Sequence, residues 1–245
     1  MQARGLADPA GPDAVAIRSL LRDLSQAVAD LAGPPTGRER LCSLLRIGCL
    51  FCLLVAGIAV DAALPFPWAV LPLPVCGVAY ALLLIATHEM LHGTLFGWGR
   101  LEYALACLLS WPMAWPFATY ARLHHLHHRW NGLDSRDPER TDPHPLPPRW
   151  APIASHPLPI RCLLLGGVGL IAETLWRGWR LRQHDPRLPA ALRFDLLAIV
   201  GLHSVVLGLA IRQQVLGRYL LLWFVVERLI GAIVQFRGLV EHHGL

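Results

Sequence analysis

The chain carries a histidine–glutamate–histidine motif, His88-Glu89-Met90-Leu91-His92, whose two imidazoles are four positions apart. On a helix this spacing places both rings on one face, one turn apart, so that they can bind the same metal ion. Two chemistries use such a pair. In the first, a zinc ion is held by His88 and His92, and Glu89 is the general base of a peptidase. In the second, the pair belongs to a larger set of imidazoles around a redox metal.

Two further clusters of histidines follow along the chain. In the run YARLHHLHHRWNG, His124, His127 and His128 stand at positions i, i+3 and i+4, so they share a helix face from which His125 points away. The third cluster lies at the end of the last apolar segment and consists of Glu241, His242 and His243.

The number of suitably placed histidines is more informative than their type, because imidazole binds iron, zinc, copper and nickel alike. A zinc peptidase needs three protein ligands. Here six histidines lie at the expected positions: His88, His92, His124, His127, His128 and His242. This excess favours two metal ions. The zinc peptidase remains an alternative, but it accounts only for the first motif.

Composition places these motifs in a membrane. Of the 245 residues, 54% are hydrophobic and only 16% are charged, with a mean hydropathy of +0.44, which is typical of an integral membrane protein. All the basic side chains apart from histidine are arginines, and they lie mostly between the apolar runs rather than in one tract. We therefore expect no nucleic-acid partner.

Four apolar runs are predicted to cross the bilayer, since about 20 residues rising ~1.5 Å each match a hydrocarbon layer of ~30 Å. These runs are 41–60, 68–87, 196–211 and 215–240. A fifth apolar run, 103–120, is interrupted by Pro112 and Pro116. If it crossed, the histidines before and after it would lie on opposite sides, so we expect a re-entrant or interfacial segment there.

The remaining segments complete an all-α integral membrane fold. Residues 14–33 predict an amphipathic helix on the membrane surface, and 162–172 is too short to span and is expected at the interface. We divide the chain into an N-terminal segment, 1–40, and a membrane domain, 41–245. Arginines are dense before residue 47 and between residues 100 and 193, which predicts that the histidine-lined metal site and both termini are cytoplasmic.

The motifs resemble those of the membrane-bound fatty acid desaturase family, which is related to lipid hydroxylases and carotenoid ketolases. The resemblance lies in an HxxxH box at His88, an HxxHH box at His124 about thirty residues later, and an Arg-x-x-x-Glu-His sequence that starts at Arg237. Continuations such as HGTLF after the first box look like the bacterial branch of the family. The resemblance covers most of residues 45–245.

The resemblance implies a di-iron centre that uses O2 to introduce a C=C bond into a lipid acyl chain in the bacterial inner membrane. It implies that the six histidines named above are iron ligands, with His243 as a further candidate. A lipid or carotenoid hydroxylase or ketolase is an alternative, because the same oxidant can insert oxygen. The sequence shows no motif for an electron source, so we expect electrons from a separate ferredoxin, cytochrome or flavoprotein reductase.

One departure from the family pattern concerns the end of the chain. The family has a further HxxHH box some tens of residues beyond the fourth span, whereas this sequence ends at Leu245. His242 and His243 do not replace that box, because Leu239 stands where its first histidine would be. We therefore expect the C-terminal part of the membrane domain to be missing, with a catalytically incomplete fragment as one outcome.

Three glutamates, Glu89, Glu227 and Glu241, are candidates for metal ligation or for support of the ligands. Glu227 lies deep in the fourth span beside Arg228, where an ionised group needs a partner. Either Glu227 and Arg228 form a buried pairing with charges near the start of the third span, such as Asp195 or Arg193, or Glu227 supports the metal site. The latter is suggested by its fourteen-residue spacing from Glu241, which places both on one helix face.

Overall fold

A computed structural model of the chain describes residues 33–130, 136–139 and 158–243, with side chains described at 33–130, 136–139 and 166–237. Apart from Gly33, the surface helix expected at 14–33 lies outside these residues. The described ranges form helices and turns. The α-helices are α1 (Gly37–Ala63), α2 (Leu73–Leu91), α3 (Arg100–Ser110), α4 (Phe117–Trp130), α5 (Leu158–Arg180), α6 (Leu188–Arg212) and α7 (Leu216–His243).

Four segments of the described chain are long and apolar enough to cross a bilayer, which confirms the expected all-α membrane fold. They are Gly37–Ala63, Trp68–Leu91, Leu188–Arg212 and Leu216–Arg237. The first begins four residues before the predicted run because a capping box starts the helix early. The Thr36 hydroxyl accepts from the Glu39 amide, and the Glu39 carboxylate accepts from the Thr36 amide at 2.7 Å.

The ends of the spans are joined by arginines. Helix α2 packs against α1, α3 and α7, and α7 also packs against α5. At the start of α7, the Arg218 guanidinium donates to the carbonyl oxygen of Asp61 at the end of α1, at 2.8 Å. Near the other end of α7, Arg237 lies 3.4 Å from the carboxylate of Glu89 on α2. Helix α1 is therefore antiparallel to α2 and α7, whereas α2 and α7 run parallel, and α7 ends at the end of the bundle where His88 and His92 lie.

Helices α3 and α4 form a hairpin of two short helices where a re-entrant or interfacial segment was expected from the prolines of 103–120. Their 11 and 14 residues are too short to cross the bilayer. The chain reverses through the 3-10 turn Trp111–Met113 and the left-handed Ala114. This turn is attached to α6 at mid-depth, because His203 Nε2 donates to the Trp111 carbonyl at 3.2 Å and Nδ1 accepts from Tyr219 at 3.1 Å. A turn carbonyl inside a membrane needs such a donor.

Helix α5 is longer than the sequence indicated and is broken near its start. The apolar stretch 162–172 is only its central part, since the helix continues through polar residues to Arg180. At Gly166 the backbone has φ 55° and ψ −162°, which only glycine adopts readily. A Cβ on Gly231 of α7 would lie 2.0 Å from the Gly166 carbonyl carbon, so α5 and α7 meet backbone to backbone at this break.

Candidate metal centre

The second apolar span delivers the first two histidines. Helix α2 is buried along much of its length, and its last turns carry His88 and His92 on one face. The helix ends at His92, whose amide bonds to the Glu89 carbonyl at 3.2 Å, and the chain then turns at Gly93 with φ 69°. His88 is half-buried and His92 is exposed, so the pair lies where the helix leaves the apolar core.

The second group of histidines is positioned by a buried aspartate. Asp195 of α6 is fully buried, and its carboxylate accepts from the backbone amides of Ala118 at 3.2 Å and Thr119 at 2.7 Å. These amides belong to the first turn of α4, where unpaired N–H groups and the helix dipole favour a negative charge. The carboxylate also accepts from Trp111 Nε1 at 3.0 Å. Asp195 therefore fixes the start of the helix that carries His124, His127 and His128.

Five of the six predicted histidine ligands meet between α2 and α4, and we call them the histidine cluster: His88, His92, His124, His127 and His128. The His124 ring is central. Its centroid lies 4.6 Å from that of His88, 5.0 Å from His92, 5.7 Å from His127 and 4.5 Å from His128. His125, the neighbour excluded by helical spacing, is exposed on another side of α4.

The ring nitrogens of the cluster have the separations of metal ligands. Each of His88, His92 and His124 offers a ligand atom within 4.8 Å of the other two. The Nε2 atom of His124 lies 3.1 Å from Nε2 of His92 and 2.9 Å from Nε2 of His128. Two imidazole nitrogens bound at about 2.1 Å to one ion, at a right angle, are ~3 Å apart. The donor set therefore fits a first-row transition metal.

The opposite nitrogens of three cluster rings are held by other side chains. Nδ1 of His88 lies 2.7 Å from the Tyr120 hydroxyl, Nδ1 of His124 is 2.7 Å from Glu139, and Nδ1 of His127 is 2.8 Å from Asp137. In metalloproteins such partners fix the ring orientation and the tautomer that leaves Nε2 for the metal. We did not predict these three partners from the sequence.

The two carboxylates belong to a short loop segment, 136–139, that folds back onto α4. Asp137 is buried and accepts from the Glu139 amide at 2.9 Å, which orders the segment internally. Arg177 of α5 donates to the carbonyl oxygen of Pro138. The segment thus links α5 to the histidine cluster. No pattern in the sequence identified the side-chain partners of this segment.

Burial keeps part of the cluster neutral, as metal ligation requires. It lowers the pKa of His128 to about 4, assisted by the positive charge that His124 and His92 would carry. It also lowers the pKa of His92. Burial also acts to lower the pKa of His127, but the hydrogen bond to Asp137 and the negative charge of Glu139 outweigh it, so this pKa is raised.

Glu89 lies beside the cluster and is paired. Its carboxylate is 3.4 Å from Arg237 and accepts from the Thr94 hydroxyl at 3.3 Å. Through this pair α7 is attached to the first histidine motif at Arg237, and the helix continues to His243. The side chains of Glu241, His242 and His243 lie outside the described residues.

Glu227 has partners other than the charges considered from the sequence. It is 2% exposed, and its carboxylate accepts from the amides of Gly167 at 2.9 Å and Val168 at 3.2 Å, just after the break in α5. Arg228 also donates to it. Two amides that the break leaves without helix partners, together with one guanidinium, therefore compensate the cost of burying this carboxylate.

Comparison with known proteins agrees with this site. The family model for fatty acid desaturases matches residues 65–245, about three quarters of the chain, and this range includes all the histidines of the cluster. No similar curated protein and no similar solved structure was found. The match covers α2 to α7 and favours the multi-histidine interpretation of the first motif over a zinc peptidase. The chain belongs to the fatty acid desaturase family.

Proposed function

We propose that the protein is a membrane lipid desaturase that uses a histidine-held di-iron centre and O2 to introduce a C=C bond into a fatty acyl chain. The observation that carries this proposal is the convergence of five imidazoles from α2 and α4 in a member of the family. Three of these rings are hydrogen-bonded to other side chains through Nδ1. A single-zinc peptidase would leave His127, its partner Asp137, and His128 without a role.

An unactivated CH2–CH2 bond requires an oxidant stronger than any side chain, and bound iron would supply it by activating O2. The overall balance is two hydrogens from the acyl chain, two protons and two electrons for each O2 reduced to two waters. The chain's own residues would provide Nε2 ligands from the five rings of the histidine cluster, while Tyr120, Glu139 and Asp137 keep the rings of His88, His124 and His127 oriented.

A second iron needs ligands beyond the three rings that converge most closely. His127 and His128 on α4 are the nearest candidates among the described residues, and we propose His242 and His243 of the third cluster as further ligands. Support comes from the Arg237–Glu89 pair, which attaches that end of α7 to α2. Glu241 is a further oxygen ligand for this second ion.

The acyl substrate would reach the cluster from the apolar core. Trp115 packs on Tyr120 with ring centroids 5.5 Å apart, and it also packs against the core formed by α2 and α7, which includes Tyr80 and Leu84. The histidine cluster and the apolar core therefore share a boundary at these two aromatic rings. A chain inserted between the spans would meet the metal there, so distance from its end would select the position attacked.

Electrons would come from a separate ferredoxin, cytochrome or flavoprotein reductase. The density of arginines around the histidine-bearing segments supports a cytoplasmic location of the cluster, in a bacterial inner membrane. Such a donor would approach from that side.

The test combines metal analysis with lipid analysis. Purified protein is expected to contain two irons per chain, and a host expressing it should accumulate unsaturated acyl chains, measured by gas chromatography of methyl esters. His124→Ala should abolish both. His125→Ala is the matched control, because this ring lies on the same helix outside the cluster, and it should leave both unchanged.

The outcomes separate the alternatives. One zinc per chain without iron would overturn the proposal. Hydroxylated or ketone products formed by an iron-containing protein would retain the metal centre and replace the reaction with that of a hydroxylase or ketolase.

A further inference from the structure

Tyr120 connects the two helices of the cluster. It lies on α4 one turn before His124, so its ring stacks on His124 with centroids 5.6 Å apart and an interplanar angle of 27°. Its hydroxyl reaches across to α2 and lies 2.7 Å from Nδ1 of His88. One side chain therefore contacts a histidine from each of the two motifs, although neither motif includes it.

The direction of this hydrogen bond determines which nitrogen of His88 can bind a metal. A neutral imidazole carries one proton. If the Tyr120 hydroxyl donates to Nδ1, the proton of His88 sits on Nε2 and blocks metal binding. If Nδ1 carries the proton and donates to the phenol oxygen, Nε2 presents its lone pair.

We propose that Tyr120 is a positioning residue of the metal centre, accepting a hydrogen bond from Nδ1 of His88 and thereby directing the Nε2 lone pair of that ring to the metal. This inference rests on the metal centre proposed above. It assigns a task to a residue that helical spacing of histidines could not identify.

The chemistry of Tyr120 differs from that of the other two partners. His124 and His127 are each held by a carboxylate, Glu139 and Asp137, which brings a negative charge to the ring. A phenol is neutral near pH 7. Tyr120 therefore orients His88 without adding charge where the cluster borders the apolar core, and where an additional ionised group would be costly.

A purely structural role makes a different prediction. The Tyr120 ring packs against Trp115, with centroids 5.5 Å apart, and against Phe117 at 6.5 Å. If packing were its only task, phenylalanine would serve equally well, because it keeps the ring and removes only the hydroxyl. Outer hydrogen-bond partners of metal ligands typically contribute about 10–100-fold to metal affinity.

The experiment measures Co2+ affinity of the full chain in detergent by competition with a chelator, together with the visible absorption spectrum of the bound cobalt. Tyr120→Phe should weaken Co2+ binding by about tenfold or more and alter the cobalt spectrum. Tyr103→Phe is the control, because this tyrosine packs on Phe117 in the same region, with centroids 5.5 Å apart. It should bind cobalt like the unaltered protein.

A double-mutant cycle with His88→Ala tests whether the effect passes through that ring. Tyr120→Phe should cause no further loss of affinity when His88 is absent. Unchanged cobalt affinity and an unchanged spectrum in Tyr120→Phe would overturn the positioning role of Tyr120 but not the metal centre. A loss of cobalt affinity that persists in the His88→Ala background would have the same consequence. If the unaltered protein fails to bind Co2+, the proposed metal centre fails and this inference fails with it.

Discussion

Replacing Asp195 tests whether the α3–α4 hairpin and the histidine cluster are held by one buried carboxylate. Asp195 lies within the span α6 and accepts three hydrogen bonds, from Trp111 Nε1 and from the amides of Ala118 and Thr119. Two of these donors belong to the first turn of α4. Asp195→Ala removes the acceptor and leaves all three donors inside the protein without it.

The magnitude follows from those three donors. A buried donor deprived of its partner costs about 1–3 kcal/mol, so Asp195→Ala should cost at least about 3 kcal/mol. For a chain of 150–250 residues, each kcal/mol lowers the melting temperature by about 2–4 °C. We therefore expect the melting temperature to decrease by at least roughly 6–12 °C. Asp195→Asn keeps one carbonyl acceptor and should lie between this variant and the unaltered protein.

Thermal unfolding in detergent and Co2+ affinity are the two measurements. Both should decrease in Asp195→Ala, because α4 carries His124 and its neighbours. Leu197→Ala is the matched control, since this side chain is 76% exposed on the same helix and should change little. If Asp195→Ala melts within about 2 °C of the unaltered protein and keeps its cobalt affinity, the hairpin is positioned by other contacts and the reasoning is refuted.

The remaining predictions concern packing, a ligand partner and pH. Gly231→Ala should strongly destabilise the detergent-solubilised protein, because its Cβ would meet the backbone of Gly166 at 2.0 Å. Gly208→Ala, with open space around it, should be tolerated, and equal melting temperatures of the two variants would contradict the close helix contact. Asp137→Ala should weaken Co2+ binding by about 10–100-fold, and an unchanged affinity would show that the carboxylate does not support a ligand. The pKa of His128 is lowered from 6.5 to about 4 in the folded protein. The unfolded chain therefore takes up a proton at this residue at a higher pH than the folded protein does, and the free energy of unfolding decreases as the pH falls from 6.5 towards 4. In metal-free protein, the melting temperature of His128→Asn should therefore fall less between pH 6.5 and pH 4 than that of the unaltered protein. A larger fall in the variant would contradict the direction of this pKa shift.

The sequence was sufficient to predict the membrane fold and to identify the histidines that meet in the described part of the chain. Apolar length identified four spans, because hydrocarbon thickness leaves little freedom in helix length. Prolines in 103–120 identified the hairpin. Spacing of i, i+3 and i+4 selected His124, His127 and His128 over His125, since side-chain direction on a helix is set locally.

The hydrogen-bond partners behind the histidines could not be predicted in the same way. Tyr120 reaches His88 across 32 positions of sequence, and Asp137 and Glu139 reach their rings through a loop. These pairings depend on how α2, α4 and α5 pack, which no local pattern encodes. The partners of Glu227 were equally hard to predict, because two of them are backbone amides exposed by the break in α5, in addition to its neighbour Arg228.

The unequal exposure of the cluster governs how an ion would be exchanged. His124 is 4% exposed and held by Glu139, whereas His92 and His128 are open to the surroundings on the side where their helices end. Within the described part of the chain, an ion could therefore enter or leave beside His92 and His128 without displacement of a transmembrane helix. Prolonged dialysis against a chelator should strip the metal while the bundle stays assembled, and readdition should restore it without refolding.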